Sequence, residues 1–138
     1  MNHNTITMAG RSFAFSADVY MQAGAGEYIL QDAFSCSSRF RHVSGTFRTN
    51  NNAFTTGAYW IQAGSTGAIY FGSSTVTITS TTGGNNSFIF SSGSTVTFDA
   101  GTSHIIISAA GDLNSVAAQT FYNVSFTNSG GTLSLIHI

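Results

Sequence analysis

Apolar residues alternate with small polar ones in short runs along most of the chain: Phe13/Phe15, Val19/Met21, Tyr28/Leu30, Ile69/Phe71, Val76/Ile78, Phe88/Phe90, Val96/Phe98, Ile105/Ile107 and Val124/Phe126. A period of two marks a strand with one face buried, and clusters of Gly, Ser, Asn and Thr separate the runs as turns would. The pattern predicts an all-β protein of many short strands.

The runs themselves recur. Phe13, Phe40, Ile69, Val96 and Val124 follow one another at steps of 27, 29, 27 and 28, with Phe15, His42, Phe71, Phe98 and Phe126 two residues on. A second ladder, Val19, Phe47, Val76 and Ile105, steps by 28, 29 and 29, and a looser third runs through Tyr28, Tyr59, Phe88 and Ala117. Three strands per turn of about 28 residues, with equivalent strands stacked ~4.8 Å apart, is the geometry of a parallel β-helix, a solenoid whose coils bury their inward residues against one another. About four and a half coils fit between residues 13 and 132, preceded by an irregular segment over 1–12. One string competes with that register: Gly72-Ser73-Ser74-Thr75-Val76-Thr77-Ile78 resembles Ser92-Gly93-Ser94-Thr95-Val96-Thr97-Phe98 at a step of 20. A β-sandwich is the alternative fold, although the Asn-Gly and Asp-Gly hairpin dipeptides it favours do not occur.

Composition sharpens the class. Ser, Thr, Asn and Gly number 20, 18, 10 and 15, while Asp, Glu, Lys and Arg together make only 7% of the chain, with no Lys and no Pro. The solvent face is therefore built from hydroxyls, amides and backbone. A hydrophobic fraction of 42% is enough to fold, and 138 residues make one domain. A formal net charge of −1 provides no field for nucleic acid or an anionic membrane, and no run approaches the ~20 apolar residues of a membrane span.

Candidate chemistry is sparse. Cys36 is alone, so neither a disulfide framework nor a thiolate metal cluster is expected, and the thiol reads as a small buried side chain. The four His residues lack ligand spacing, and His42, on an inward rung between Phe15 and Phe71, reads as a satisfied core histidine. No cofactor or metal is predicted. A polysaccharide hydrolase or lyase would need two or three converging carboxylates from Asp18, Glu27, Asp32, Asp99 and Asp112. On the 28-residue register Asp18 and His104 flank one ladder but lie three coils apart, about 14 Å, too far to cooperate. Asp99-Ala100-Gly101 and Ala110-Gly111-Asp112 read as turns, as does Asn50-Asn51-Asn52, whose side chains suit the left-handed conformation and hydrogen bonding along a stack of coils. No catalytic residue is assigned, and the chain is not expected to be an enzyme.

Arg39, Arg41 and Arg48 form the main concentration of charge, and alternation sends Arg39 and Arg41 to the same side of a strand. A solvated stripe that discourages edge pairing is one reading, and a clasp for a sugar carboxylate or phosphate is the other. If Tyr59 points inward, Trp60 points outward, where its ring can stack on a sugar. Trp60, Arg39 and Arg41 are thus the candidate carbohydrate-binding residues.

Four strings carry a resemblance: Gly26-Glu27-Tyr28-Ile29-Leu30-Gln31-Asp32, Ser44-Gly45-Thr46-Phe47-Arg48-Thr49-Asn50-Asn51, Phe71-Gly72-Ser73-Ser74-Thr75-Val76 and Thr120-Phe121-Tyr122-Asn123-Val124-Ser125-Phe126. They resemble the repeat regions of large bacterial adhesin-like surface proteins and phage virion or tail-fibre β-helix proteins, many known from environmental sequence. The resemblance implies an extracellular, cell-surface or virion location and a structural or interaction role, with cell-surface glycans or other fibre subunits as partners, and it carries no catalytic residue. The last six residues, Leu133-Ser134-Leu135-Ile136-His137-Ile138, resemble a translated sequencing adapter, so 133–138 is expected to be a non-native tail of a longer natural protein.

Overall fold

Strands form where the alternation holds, because an inward apolar residue at every second position can be buried while Gly, Asn and Ser release the chain into turns. The computed structural model of the chain describes residues 3–12, 17–80, 86–128 and 133–135. The chain winds past three faces in each coil. β1 (His3–Ile6) opens face two; β2 (Val19–Leu30) then runs through faces one and two as one bent strand, and β3 (Phe34–Ser35) lies on face three. β4 (Arg39–Arg48) and β5 (Phe54–Thr56) repeat that coil. From there each face has its own strand: β6 (Ala58–Ile61), β7 (Thr66–Tyr70) and β8 (Thr75–Ile78), followed by β9 (Asn86–Phe90), β10 (Thr95–Asp99) and β11 (His104–Ile107). β12 (Asp112–Ser115) and β13 (Asn123–Phe126) supply faces one and three, and β14 (Leu133–Leu135) returns to face one. Faces one and two make one nine-stranded sheet that forks at β4, whose two halves pair with β6 and β7, and face three is a five-stranded sheet.

Every pairing among these strands is parallel, and no helix occurs among the described residues. The protein is a β-solenoid, as the alternation and repeats predict. An antiparallel sandwich is excluded for the described residues. Both ends carry strands. The segment before residue 13 is not irregular throughout, since His3–Ile6 pairs with Glu27–Leu30, and Leu133–Leu135 continues face one on β12. Phe13 and Phe15 lie outside the described residues.

The uniform 28-residue step does not hold. Tyr59 pairs with Phe88, and Val76 with Ile105, at 29 residues, as the ladders require. Elsewhere the step departs from the ladders: it shortens where Phe40 pairs with Tyr59 rather than Ile69, Phe47 with Ile69 rather than Val76, and Val124 with Ile105, and it lengthens by two where Ile69 pairs with Phe98 rather than Val96. Val19 pairs with Phe40 and Tyr28 with Phe47. The cause is corner length. Three residues (43–45) turn β4 from face one to face two, whereas six (62–67) separate the matching positions Ile61 and Ala68 one coil later. The competing step of 20 joins nothing at the string that suggested it, because β8 and β10 lie on different faces.

Inward positions fill the interior. Phe40, Phe47, Phe54, Tyr59, Phe71 and Phe88 are fully buried, and Phe54 meets Phe34, Phe40, Phe47 and Tyr59 with ring centroids 5.0 to 5.8 Å apart. On face three the column becomes aliphatic, with Val76, Ile78, Ile105 and Ile107 all fully buried. Each such side chain contributes about 1.5–3 kcal/mol on burial, and the ring contacts add to it. Corners are held by backbone that only certain residues accept. Asn50 and Asn51 take φ of 52° and 63°, Asn50 and Asn52 donate to Leu30 O, and Asn51 Oδ1 accepts from Ser73 N at 2.9 Å, so the triplet links coils as its composition suggested. Gly67, at φ 107°, packs so closely on the coil before it that a Cβ would lie 2.0 Å from Gly45 O.

Candidate binding face

Tyr59 is fully buried, so alternation turns Trp60 outward on face one. The register then builds a column across the strands: Tyr20, Arg41, Trp60, Ile89 and Asn114 stand in successive coils. The Arg41 guanidinium lies 4.1 Å from the Trp60 ring centre and 5.4 Å from that of Tyr20. Arg39, two residues back on the same side of β4, lies 5.1 Å from the Trp60 ring centre. The three residues singled out from the sequence therefore come together.

The sequence reading missed two members of the group. Asp18, expected to be solvated on its own, sits between the arginines, with Oδ2 2.5 Å from Arg41 Nε and Oδ1 3.5 Å from Arg39 Nε. Tyr20 is 55% exposed and flanks Arg41 on its other side. Alternation places Asp18 and Tyr20 on one side of the chain, but a 28-residue step separates them from Arg39 and Arg41, while the observed step of 21 brings them together. Asp18 and His104 also do not share a ladder, since His104 begins β11 on face three, where Nε2 meets Ser125 Oγ. Nor do the arginines guard an edge, because β4 is paired on both sides.

Trp60 is less available than an isolated outward ring. It is half-buried, Arg41 covers part of it, and Nε1 donates to Ser91 Oγ at 2.6 Å. The patch holds two guanidinium groups against one carboxylate, a net positive charge beside the exposed Tyr20 ring. Such a surface can stack on an apolar sugar face and donate to its oxygens. Half-exposed ion pairs of this kind contribute ~1 kcal/mol or less to stability.

Other ionisable groups are tied into the coils. On face two the Arg48 guanidinium pairs with Glu27 and lies 4.0 Å over Tyr70, and His3 Nδ1 sits 2.6 Å from Glu27 Oε2. The hydrogen bond from Arg48 holds the buried Glu27 carboxyl below the usual carboxylate range, ahead of an opposing effect from desolvation. Asp32 accepts from the Met8 and Ala9 amides, and Asp99 Oδ1 accepts from Gly101 N at 2.8 Å in the turn its sequence suggested. Asp112 opens β12. His42 is buried in register with Met21 and Ile61, not on a rung with Phe71, because the steps around it are 21 and 19 residues. Its Nε2 meets Thr66 O at 3.2 Å while Nδ1 has no hydrogen-bond partner, and burial lowers its pKa, keeping it neutral. Cys36 is a buried free thiol beside Thr56, pushed up in pKa by burial. Among the described residues no group of three or more His, Cys, Asp or Glu is placed to hold a metal, and no helix is long and apolar enough to cross a membrane.

Comparison of the chain with family models, with curated proteins and with solved structures returns no match.

Proposed function

We propose that this solenoid is a structural and interaction segment of an exported surface adhesin or phage fibre, and that it performs no catalysis. The observation that carries this reading is the parallel stacking: side-chain columns run from coil to coil on each of the three faces, which makes the domain a short rod suited to spacing or displaying other parts. The state of the carboxylates supports it too. Asp18 and Glu27 are engaged by arginines, and Asp32 and Asp99 by backbone amides, so they act as structural acceptors rather than as a converging acid and base. Immunogold labelling of cells and virions from material carrying the gene, with an antibody raised against the domain, tests the proposal. Decoration of outer surfaces or fibres is expected, and label confined to cell interiors contradicts it. Breakdown of a surface polysaccharide by purified protein, lost on Asp→Asn substitution, would contradict the non-catalytic part.

A second reading, carbohydrate binding through Trp60, Arg39 and Arg41, is favoured by the Tyr20–Arg41–Trp60 column. A glycan array separates display from recognition. Signal lost in both Trp60→Ala and Tyr20→Ala supports binding at this face, and an array blank with wild-type protein contradicts it.

A further inference from the structure

Among the described residues, face two ends one strand early. β8 and β11 pair at a step of 29 residues, but β11 and β13 pair at 19, so the last of these coils is ten residues shorter. Residues 116–122 run from β12 to β13 without forming a strand, and β10 pairs with β7 alone. Thr95 N donates to Ser65 O and Phe71 N donates to Asp99 O, which directs Thr95, Thr97 and Asp99 toward β7. In a parallel ladder alternate residues bond to opposite sides, so the N–H and C=O groups of Val96 and Phe98 point away from β7, where no strand follows among the described residues.

The notch is apolar as well as unpaired. Ile69, one coil below Phe98, is fully buried, whereas Val96 and Phe98 are only half-buried. Phe121 packs against Phe98 at 5.4 Å, and both line a groove of about 180 Å³ together with Tyr122, which is 70% exposed. Asp99 is the carboxylate lining that groove.

We propose that the open edge of β10 is a docking site for an extended peptide strand carrying a basic residue beside Asp99. Four parallel pairings already join five strands on this face, and a sixth strand continues the same ladder. Its backbone meets the Val96 and Phe98 groups, alternate apolar side chains cover Phe98 and Phe121, and hydroxyl residues take the outward positions. An arginine next to Asp99 repeats on the outer surface the pairing that Arg48 makes with Glu27. The free opening strand of a second copy is a poor occupant, because β1 places the polar Asn4 in line with the column of Tyr28, Phe47, Ile69 and Phe98.

The test uses a fluorescein-labelled peptide, Thr-Val-Thr-Phe-Arg-Thr, and a version N-methylated at alternate residues. Saturable binding of the first is expected, with the N-methylated form about tenfold weaker through loss of backbone hydrogen bonds. On binding, amide exchange slows at Val96 and Phe98 and stays unchanged at Thr95. Asp99→Asn, which keeps the acceptor for Gly101 N, weakens the arginine peptide several-fold and leaves a glutamine-for-arginine version unaffected. Equal binding of the two backbone forms, or saturation without protection at Val96 and Phe98, overturns the proposal. Self-association of the protein that protects those two amides without peptide assigns the notch to a second copy and overturns it too.

Discussion

Faces one and three share an interior logic and differ outside. Beneath face one lie Phe40, Tyr59, Phe88 and Leu113, and beneath face three Phe54, Val76, Ile105 and Val124, each a column in register across successive coils. Outside, face one carries Tyr20, Arg41, Trp60, Ile89 and Asn114, whereas face three carries Ser35, Thr55, Thr77, Ile106 and Ser125. The stack needs the inner columns, while its outer positions accept either a plain hydroxyl surface or a charged and aromatic one. The packing that holds the fold and the chemistry of its surface therefore reside in alternate residues of the same strands.

The largest expected break comes from the inside. Phe54→Ala removes a ring that meets four others and should cost about 3–5 kcal/mol, whereas Thr55→Ala, the next residue and outward, should change stability by ~0.5 kcal/mol or less. Urea unfolding of the two variants measures the contrast, and similar midpoints would remove the distinction between columns. Next is the corner between faces one and two. Gly67→Ala places a Cβ against Gly45 O at a positive φ and should cost roughly 1–3 kcal/mol or more, read as a lowered melting temperature.

Acidification should loosen the faces unequally. The folded pKa of His42 is lowered, so the unfolded chain takes up a proton first as pH falls through the ordinary value of 6.5, and stability drops from there. Glu27, whose folded pKa is also lowered, contributes stability that is present above 4.5 and lost as pH falls further. Inward positions of β5, β8, β11 and β13 hold Phe54, Thr56, Val76, Ile78, Ile105, Ile107, Val124 and Phe126, none of which titrates in this range. Amide protection, corrected for the slower intrinsic exchange at low pH, is expected to fall between pH 7.5 and pH 5.5 at β4 and β6 before β8 and β11, and His42→Leu should remove the difference. The smallest effect belongs to the outer column: Arg41→Ala should cost ~1 kcal/mol or less and reduce the salt dependence of stability, while Thr77→Ala changes neither.

Alternation and repetition made the solenoid legible, and the Tyr59/Phe88 and Val76/Ile105 rungs could be read directly. What hid the other rungs was corner length, because a three-residue bend in β4 and a six-residue turn in the next coil leave the same strand pattern and differ only in spacing. The outward sense of Trp60, Arg39 and Arg41 followed from strand parity, which is local. Their convergence with Asp18 and Tyr20 depends on the step between coils and was hidden with it. The notch on face two could not be anticipated, since residues 116–122 differ from other linkers in what they omit, not in any residue they contain.

Register is where the account is most exposed. Methyl-labelled protein should give nuclear Overhauser contacts linking Val76 to Ile105 and Ile105 to Val124, together with Ile78 to Ile107, at the ~4.8 Å spacing of parallel strands. Contacts joining Val76 to Val96, or Hα–Hα contacts of antiparallel pairs along β8 and β11, would contradict the stacked coils.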